Sequence, residues 1–382
     1  MNIIDKLFGK QNPKRVTSEI IERNNYRVRE TISSWQNAVT QAESKDSYMK
    51  PDRKALIRIY NDIILDNHLA SVIELRKEKV LEYSFYLHRN DVIDEESTKK
   101  INSEWFYKVL GYILDIIFYG HSLVQVESVY LNNITQISLV DRENIIPEYG
   151  EFMKDVYNNL DVISYIEPKM YSWLFEFYSD RKDLGLLKSI VPLVLWKRSA
   201  MSAWAEYTEV FGMPIRIATT TSADTQDRKR LADFVKNIGK SAWAVLDREE
   251  KIDFIENKKT DSYNVYDRLI ELVNKEISKA VLGVTMLNED GSSRSQSEVH
   301  SEQSEIKTRS DLRNIEFIIK DKLIPKLVGL GVLPEGLEFK FDISEVSSPS
   351  EQILIDKELG LMYPLSKEYL KERYSVEFEN IS

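Results

Sequence analysis

The sequence predicts an α+β protein built from more than one packed unit, and three observations predict it. Apolar residues recur at spacings of three and four through several long stretches, the period of an amphipathic helix. Between them lie short runs rich in β-branched and aromatic residues, punctuated by Asn, Asp and Gly, as strands and their turns are. The 382 residues are 42% hydrophobic and 30% charged, enough chain for two or three cores and too apolar for a disordered one.

Residues 1–50 are polar, with Trp35 as an isolated anchor, and are expected to form a loosely held arm. From Pro51 the pattern turns helical, with Ala55, Leu56, Ile59, Tyr60, Ile63 and Ile64 on one face. Asp66-Asn67 offers a cap for a second helix whose stripe is Leu69, Val72, Ile73 and Leu75. Val80–Leu87 (VLEYSFYL) is expected to be a strand. Ser103 opens an apolar helix over 103–119, and Gly120 closes it. HSLVQVESVY and ITQISLV, joined around Asn132-Asn133, predict a hairpin. With the aromatic segments of 162–178, residues 51–180 form one expected mixed domain.

The character changes near Ser189. VPLVLWKRSAMSAWAEYTEVFG predicts a long helix, stopped by Gly212 and Pro214. A β-α-β unit follows: PIRIATT, ADTQDRKRLADFVKNIG and SAWAVLD. Residues 261–282 predict another long helix, with Tyr263, Tyr266, Leu269, Ile270, Val273, Ile277, Ala280 and Val281 on one side. Gly283 stops it, and Asn288, Glu289, Asp290 and Gly291 mark a loop. A helix to about residue 328 carries only Val299 and Ile306 as large apolar residues in its first half. The strand LEFKFD and the helix ILIDKELGLM are expected to return to the core. Neither internal repeat nor low-complexity tract is evident.

No catalytic, metal or cofactor site is predicted. The chain has no cysteine, which excludes disulfides and thiolate chemistry. His68, His88, His121 and His300 lie too far apart to share a helix face as ligands, and a lone histidine more often satisfies a boundary position. Gly239-Lys240-Ser241 resembles the end of a phosphate-binding loop, but Phe234 stands where the pattern needs glycine. The pairs Glu249-Glu250 and Glu289-Asp290 are expected by chance among 62 acidic residues. No run reaches the roughly 18 apolar residues of a membrane helix, and MNIIDKLFGKQNPKR lacks the pattern of a signal peptide. Formal net charge is −10. A protein gripping DNA by its phosphates shows a basic face; an acidic chain suits one that lets a duplex slide. Trp196, Trp204, Tyr207 and Phe211 recur at helical spacing and predict packing rather than base stacking, since Lys197 and Arg198 alone make no basic groove.

Four stretches, in order, then carry a family resemblance. They are LIRIYNDIILDNHLASVIELRKEKVLEYSFYL (56–87), LGYILDIIFYGHSLVQVESVY (110–130), VLWKRSAMSAWAEYTEVFGMPIRIA (194–218) and the segment from ISKAVLGVTMLNEDGSS to IIKDKLIPKLV (277–328). Together they resemble the portal proteins of Mu-like bacteriophages. The resemblance implies an α+β portal fold, with a mixed wing domain, long paired stem helices and a small β-α-β clip. Wing would be 51–188 and 331–382, stem 189–211 and 257–283, clip 212–256, tunnel loop 284–295 and channel-side helix 296–330. A C-terminal crown like that of larger portals is not expected.

By the same resemblance the chain would form a homo-oligomeric ring of about twelve copies in a virion's capsid vertex. Double-stranded DNA would pass through it without sequence specificity. The terminase large subunit, then a head–tail connector, would dock on it, beside the major capsid protein, with no membrane involved. Asn288, Glu289, Asp290, Ser292, Ser293 and Ser297 would face the channel, with Arg294, Lys307 and Arg309 making brief phosphate contacts. Asp224, Asp227, Arg228, Lys229, Arg230, Asp233 and Lys236 would form the docking surface of the clip. Trp196, Trp204, Tyr207, Phe211, Tyr266, Ile270, Val273 and Ile277 would pack the stem. Two other classes compete: a non-channel adaptor or scaffold of a phage particle, and a nucleic-acid enzyme of a mobile element.

Overall fold

The computed structural model describes residues 30–43, 50–154, 162–166, 171–211, 215–219, 224–237, 251–255, 261–285, 294–343, 349–366 and 369–371. Two large apolar clusters organise them. One gathers the helices between residues 32 and 81 with the long helices that follow residue 187; the other gathers the strands.

The first cluster begins in the segment expected to be an arm. Helix α1 (Ile32–Ala42) is opened by a reciprocal capping box between Thr31 and Ser34. It buries Ala38 and Ala42, with half-buried Trp35 packed on the same cluster. Helix α2 (Lys54–Ile63) buries Leu56, Ile57, Ile59, Tyr60 and Ile63. Asp66 caps α3 (Asn67–Leu81), its carboxylate accepting from the amides of His68 and Leu69 at 3.1 Å each. On α3 the buried stripe is Leu69, Val72, Ile73, Arg76 and Val80, while Leu75 is exposed. The helix also runs through Val80 and Leu81. The strand expected over 80–87 is therefore displaced to β1 (Phe85–Arg89), because Val80 completes the helical stripe before the chain turns.

The second cluster is built on the helix framed by Ser103 and Gly120. After β2 (Val92–Ile93) and α4 (Glu95–Ile101), α5 spans Glu104–Tyr119. Trp105 to Ile116 pack under the sheets, whereas Phe118 and Tyr119 reach into the first cluster. Strands β3 (His121–Tyr130) and β4 (Asn133–Leu139) form the expected hairpin. Its turn is Leu131-Asn132, both at positive φ (47° and 59°), one position earlier than Asn132-Asn133. Strands β5 (Ile145–Ile146), β6 (Glu151–Met153) and β7 (Val162–Ser164) make a small sheet, and β8 (Leu174–Tyr178) flanks β3 in the order β4-β3-β8. Strand alternation then serves two cores. Val124, Val126, Phe175 and Phe177 face α5; Leu123 and Leu174 face Val140, Phe152 and Tyr165.

Helix α6 (Leu187–Phe211) enters the first cluster with Leu187, Ile190, Val191 and Val194. Strand β9 (Ile215–Thr219), α7 (Thr225–Asn237) and β10 (Lys251–Ile255) follow, β10 pairing antiparallel with β9. The expected strand SAWAVLD lies outside the described residues, as does Gly239-Lys240-Ser241. Helix α8 (Asp261–Leu282) returns along α6. Helix α9 (Arg294–Ile318) runs into a π-helical segment, Ile319–Leu323, and then α10 (Ile324–Gly329), packing over the strands. Strand β11 (Glu338–Phe341) pairs antiparallel with β1 in the order β11-β1-β2. Helix α11 (Pro349–Met362) does not return to the core as expected. Ile353, Leu354, Leu361 and Met362 stay exposed, and the buried group among its described side chains is Asp356, which accepts from the Tyr369 hydroxyl at 3.1 Å. With Ile355 and Leu359 also exposed, the apolar residues cover about two-thirds of the helix circumference at about 100° per residue and define no single face to bury.

Where α5 ends, the backbone crosses the entry to α6. Gly120 (φ 81°) and Gly185 (φ 74°) sit so close that a Cβ on Gly120 would lie 2.1 Å from the Asp183 carbonyl oxygen. The Leu186 amide donates to the Ile117 carbonyl at 2.9 Å. Gly120→Ala is therefore expected to cost at least about 2 kcal/mol, by strain and clash together. Gly331→Ala, also at positive φ (71°) but with open space around it, should cost only about 1 kcal/mol. Urea unfolding of the two variants measures the difference; equal losses would refute the crossing as a constraint.

Candidate functional site

Helix α3 is a hub that fastens three long helices, and its polar residues make the fastenings. Asp66 turns its carboxylate, beyond capping α3, to Lys197 of α6 at 2.9 Å. Asp62 pairs with Arg198 one position on. His68 places Nε2 2.9 Å from the Asn274 carbonyl and 2.9 Å from the Ser278 hydroxyl, both on α8. Arg76, buried one turn below Val72, donates from Nε and Nη2 to the two oxygens of Asp311 on α9, at 2.8 and 2.9 Å. Its Nη1 donates to the Val281 carbonyl at 2.9 Å. Lys79 reaches the Ser304 hydroxyl on α9 at 2.6 Å.

The end of α8 explains two of these contacts. The last carbonyls of a helix lack partners within it and carry the negative end of its dipole. Arg76 satisfies Val281, and Lys307 Nζ lies 3.3 Å from the Ala280 carbonyl. Gly283 (φ 82°) then turns the chain away. Burial holds Lys307 below its ordinary pKa; Arg76 adds to this and Asp311 opposes it.

The strands carry a second polar knot. Glu176 accepts from His121 Nε2 at 3.1 Å, the Tyr165 hydroxyl at 2.7 Å and Arg181 at 2.7 Å. Burial alone would raise Glu176, but these hydrogen bonds outweigh it and hold the carboxyl below its usual range. Nearby, Lys322 and Lys326 each lie 3.1 Å from a ring centroid, those of Tyr178 and Tyr171, and donate to the same residues' carbonyls. Burial pushes both lysines down to about 8.

Sequence-predicted residues fall in several places. Trp196 is exposed; Trp204, Tyr207, Tyr266 and Ile270 are half-buried, with the Tyr207 and Tyr266 rings 6.3 Å apart. Val273 and Ile277 are buried within the chain's own core, so they pack α8 onto its own subunit and not onto a neighbour. Phe211 lies on α6, its side chain outside the described residues, as do Asn288, Glu289, Asp290, Ser292 and Ser293 entirely. Arg294 and Ser297 lie on α9, again without described side chains. Lys307, expected to touch phosphates, is instead turned to the end of α8. Arg309 is exposed and pairs with Glu305 at 2.6 Å. Asp224, just before α7, and Arg228, Lys229, Arg230 and Asp233 on it are exposed, Asp227 is half-buried, and Lys236 lies on the helix without a described side chain; Leu231 anchors that helix. Sequence reasoning missed Arg76, Asp311 and Lys197 as fasteners. The signal was a charged residue on an apolar stripe, which Arg76 shows. Among the described residues no three His, Cys, Asp or Glu gather as metal ligands, and no helix is long and apolar enough to cross a membrane.

Removing one member of the buried pair strands the other. Arg76→Met or Asp311→Leu alone is expected to cost about 3–5 kcal/mol, and the double variant to recover much of it. Denaturant unfolding of the three variants checks this, and additive losses would sink it. The lysine pair has a pH signature. Its folded pKa lies below the unfolded value near 10.5, so the unfolded chain binds more protons between about pH 8 and 10.5 and stability rises with pH across that window. At pH 8 about half of each amine is neutral, against about 0.3% of an ordinary lysine. Lys322 and Lys326 should therefore acetylate ahead of Lys108, whose hydrogen bond with Glu104 raises its pKa. Peptide mass spectrometry after brief labelling at pH 8 reads the order, and equal labelling would contradict it.

With this geometry in place, comparisons with known proteins give its family. The family model for the portal protein of Mu bacteriophage matches residues 57–376. The chain is 25% identical over 285 residues to the portal protein of Escherichia phage Mu, covering 69% of this chain and 55% of that protein. It is 26% identical over 174 residues to the Mu-like prophage FluMu protein gp29 of Haemophilus influenzae, covering 42% of this chain and 33% of that one. It thus spans about half, or less, of the length of these relatives. A chain from the neck of a native gene transfer agent particle, solved with C12 symmetry, shares the fold at a TM-score of 0.56 and 11% identity, covering 91% of this chain and 100% of that one. The family-model match, which runs over residues 57–376 and so over most of the chain, places it in the family of Mu bacteriophage portal proteins.

Proposed function

We propose that the chain is one subunit of a portal ring at a capsid vertex, through which double-stranded DNA is packaged and ejected. One observation carries the reading: the family match runs through the hub, both long helices and the helix after them, which are the parts a channel needs. Helices α6 and α8 are the stem, β9, α7 and β10 the clip, and α9 the channel-side helix. The α5 and strand unit, with β11, is the wing. Asn288, Glu289, Asp290, Ser292, Ser293 and Ser297 are proposed to face the channel, where acidic and small polar groups repel phosphates and let a duplex slide. Arg294 and Arg309 are the candidates for brief phosphate contacts.

The mixed charge of α7 suits a surface that exchanges partners, first the terminase large subunit and then a head–tail connector. The major capsid protein would surround the ring, in the virion and, during assembly, in the host cytoplasm. The ring's copy number is proposed to be near twelve, the symmetry applied to the similar neck particle.

Negative-stain microscopy with mass photometry on the purified chain tests this. Annular particles with a central channel and a mass near twelve subunits are expected. A compact, non-annular oligomer, or a monomer at every concentration, would overturn the reading in favour of a non-channel adaptor.

A further inference from the structure

We infer that the junction between neighbouring copies is made by two unlike stripes on opposite flanks of the stem pair: the apolar Val265, Leu269 and Leu272 of one copy against Met201, Trp204 and the methyl-bearing Thr208 of the next. The inference rests on the ring reading and specifies which residues meet.

Helix α8 has three flanks. At about 100° per residue, Tyr266, Ile270, Val273 and Ile277 share the flank that faces α6. Asn274 and Ser278 lie to one side of it and are held by His68 of α3. Val265, Leu269 and Leu272 lie to the other side, at i, i+4 and i+7, and are 65%, 38% and 55% exposed. None of the three belongs to the apolar clusters. An apolar line at helical spacing, beside a flank already committed to α6, is a surface waiting for a partner.

Helix α6 carries the complementary surface. Lys197 marks the flank that faces α3, through Asp66. Met201, Trp204 and Thr208 continue that line at i+4, i+7 and i+11, beyond the reach of α3. Met201 is 52% exposed, Thr208 exposed and Trp204 half-buried. One stripe therefore lies on the α3 side of the pair and the other on the opposite side, as a heterologous ring contact requires.

Their heights agree as well. Tyr207 and Tyr266 meet, and the two helices run antiparallel, so each step back along α6 matches a step forward along α8. Thr208 is level with Val265, Trp204 with Leu269 and Met201 with Leu272. Rotation about a ring axis moves nothing along that axis, so a stem pair that ran along it would bring each residue opposite its counterpart. Together Val265, Leu269, Leu272 and Met201 would bury roughly 350 Å² of side chain, about a fifth of a standard ~1,600 Å² interface and enough for its apolar centre.

The chain has no cysteine, so introduced pairs report cleanly. Met201→Cys and Leu272→Cys are made in separate, distinguishably tagged chains, co-expressed, assembled and oxidised; both positions are exposed, and a thermal melt confirms folding. Each variant alone should stay monomeric on non-reducing gels, and the mixture should give covalent dimers that reductant reverses. The two substitutions in one chain should give a ladder reaching the whole ring. Rings that show no dimer in the mixture, or dimers from a single variant alone, overturn the junction while the ring reading stands. Absence of rings from the unmodified chain overturns both.

Discussion

The interaction on which the rest depends is the one made by Arg76. Its guanidinium reaches Asp311 with two nitrogens and the Val281 carbonyl with a third, so one side chain from α3 fixes where α8 ends and where α9 lies. A guanidinium suits this because its donors are held in a rigid plane, which constrains direction as well as distance. Phe118 packs near the cation, 5.8 Å from its ring centroid, and ties the node to the end of α5. Because α5 belongs to both large clusters, the strand unit cannot turn against the α6–α8 pair without disturbing this contact.

Buried ion pairs add little net stability compared with well-packed apolar residues, since desolvation offsets most of the attraction. What they supply is geometry. The apolar faces of α6 and α8 would tolerate small rotations about their axes, because dispersion and area burial are not directional. Asp66 with Lys197, His68 with Asn274, and Arg76 with Asp311 each allow one arrangement. Three such contacts, spread along α3 over nearly three turns, define the positions of three helices relative to one another.

Much of this fold was legible from residues alone, for identifiable reasons. The helix ending at Gly120 showed in its apolar run and its glycine; the β3–β4 hairpin showed in its alternation. Legibility failed where tertiary contacts override local preference. Val80 is a good strand former, yet packing keeps it helical. The stripe containing Leu75 was misplaced because Arg76, charged and buried, breaks the rule that apolar residues mark the core. The π-helical turn at Ile319–Leu323 has no sequence signature, and the segment 30–43 looked like an arm because it fully buries only two alanines, with Ile32, Trp35 and Val39 half-buried against the cluster. Of the candidate site, the long helices were visible but their fasteners were not. A pair 235 positions apart, such as Arg76 and Asp311, leaves no local trace.

Directional fastening matters more in a ring than in a single subunit. In a closed ring of about twelve copies each junction turns by about 30°, and errors in that angle add around the circle. A systematic deviation of only about 2.5° per junction would accumulate to the width of one subunit and favour a different copy number or an open helix. The two stripes proposed to meet across the junction sit on α6 and α8, so the angle between their flanks sets the turn. That angle is held by the polar contacts of α3, not by the stripes themselves. Loosening the hub would therefore act on closure as well as on folding, and the expense of burying Arg76 with Asp311 is understandable on that ground.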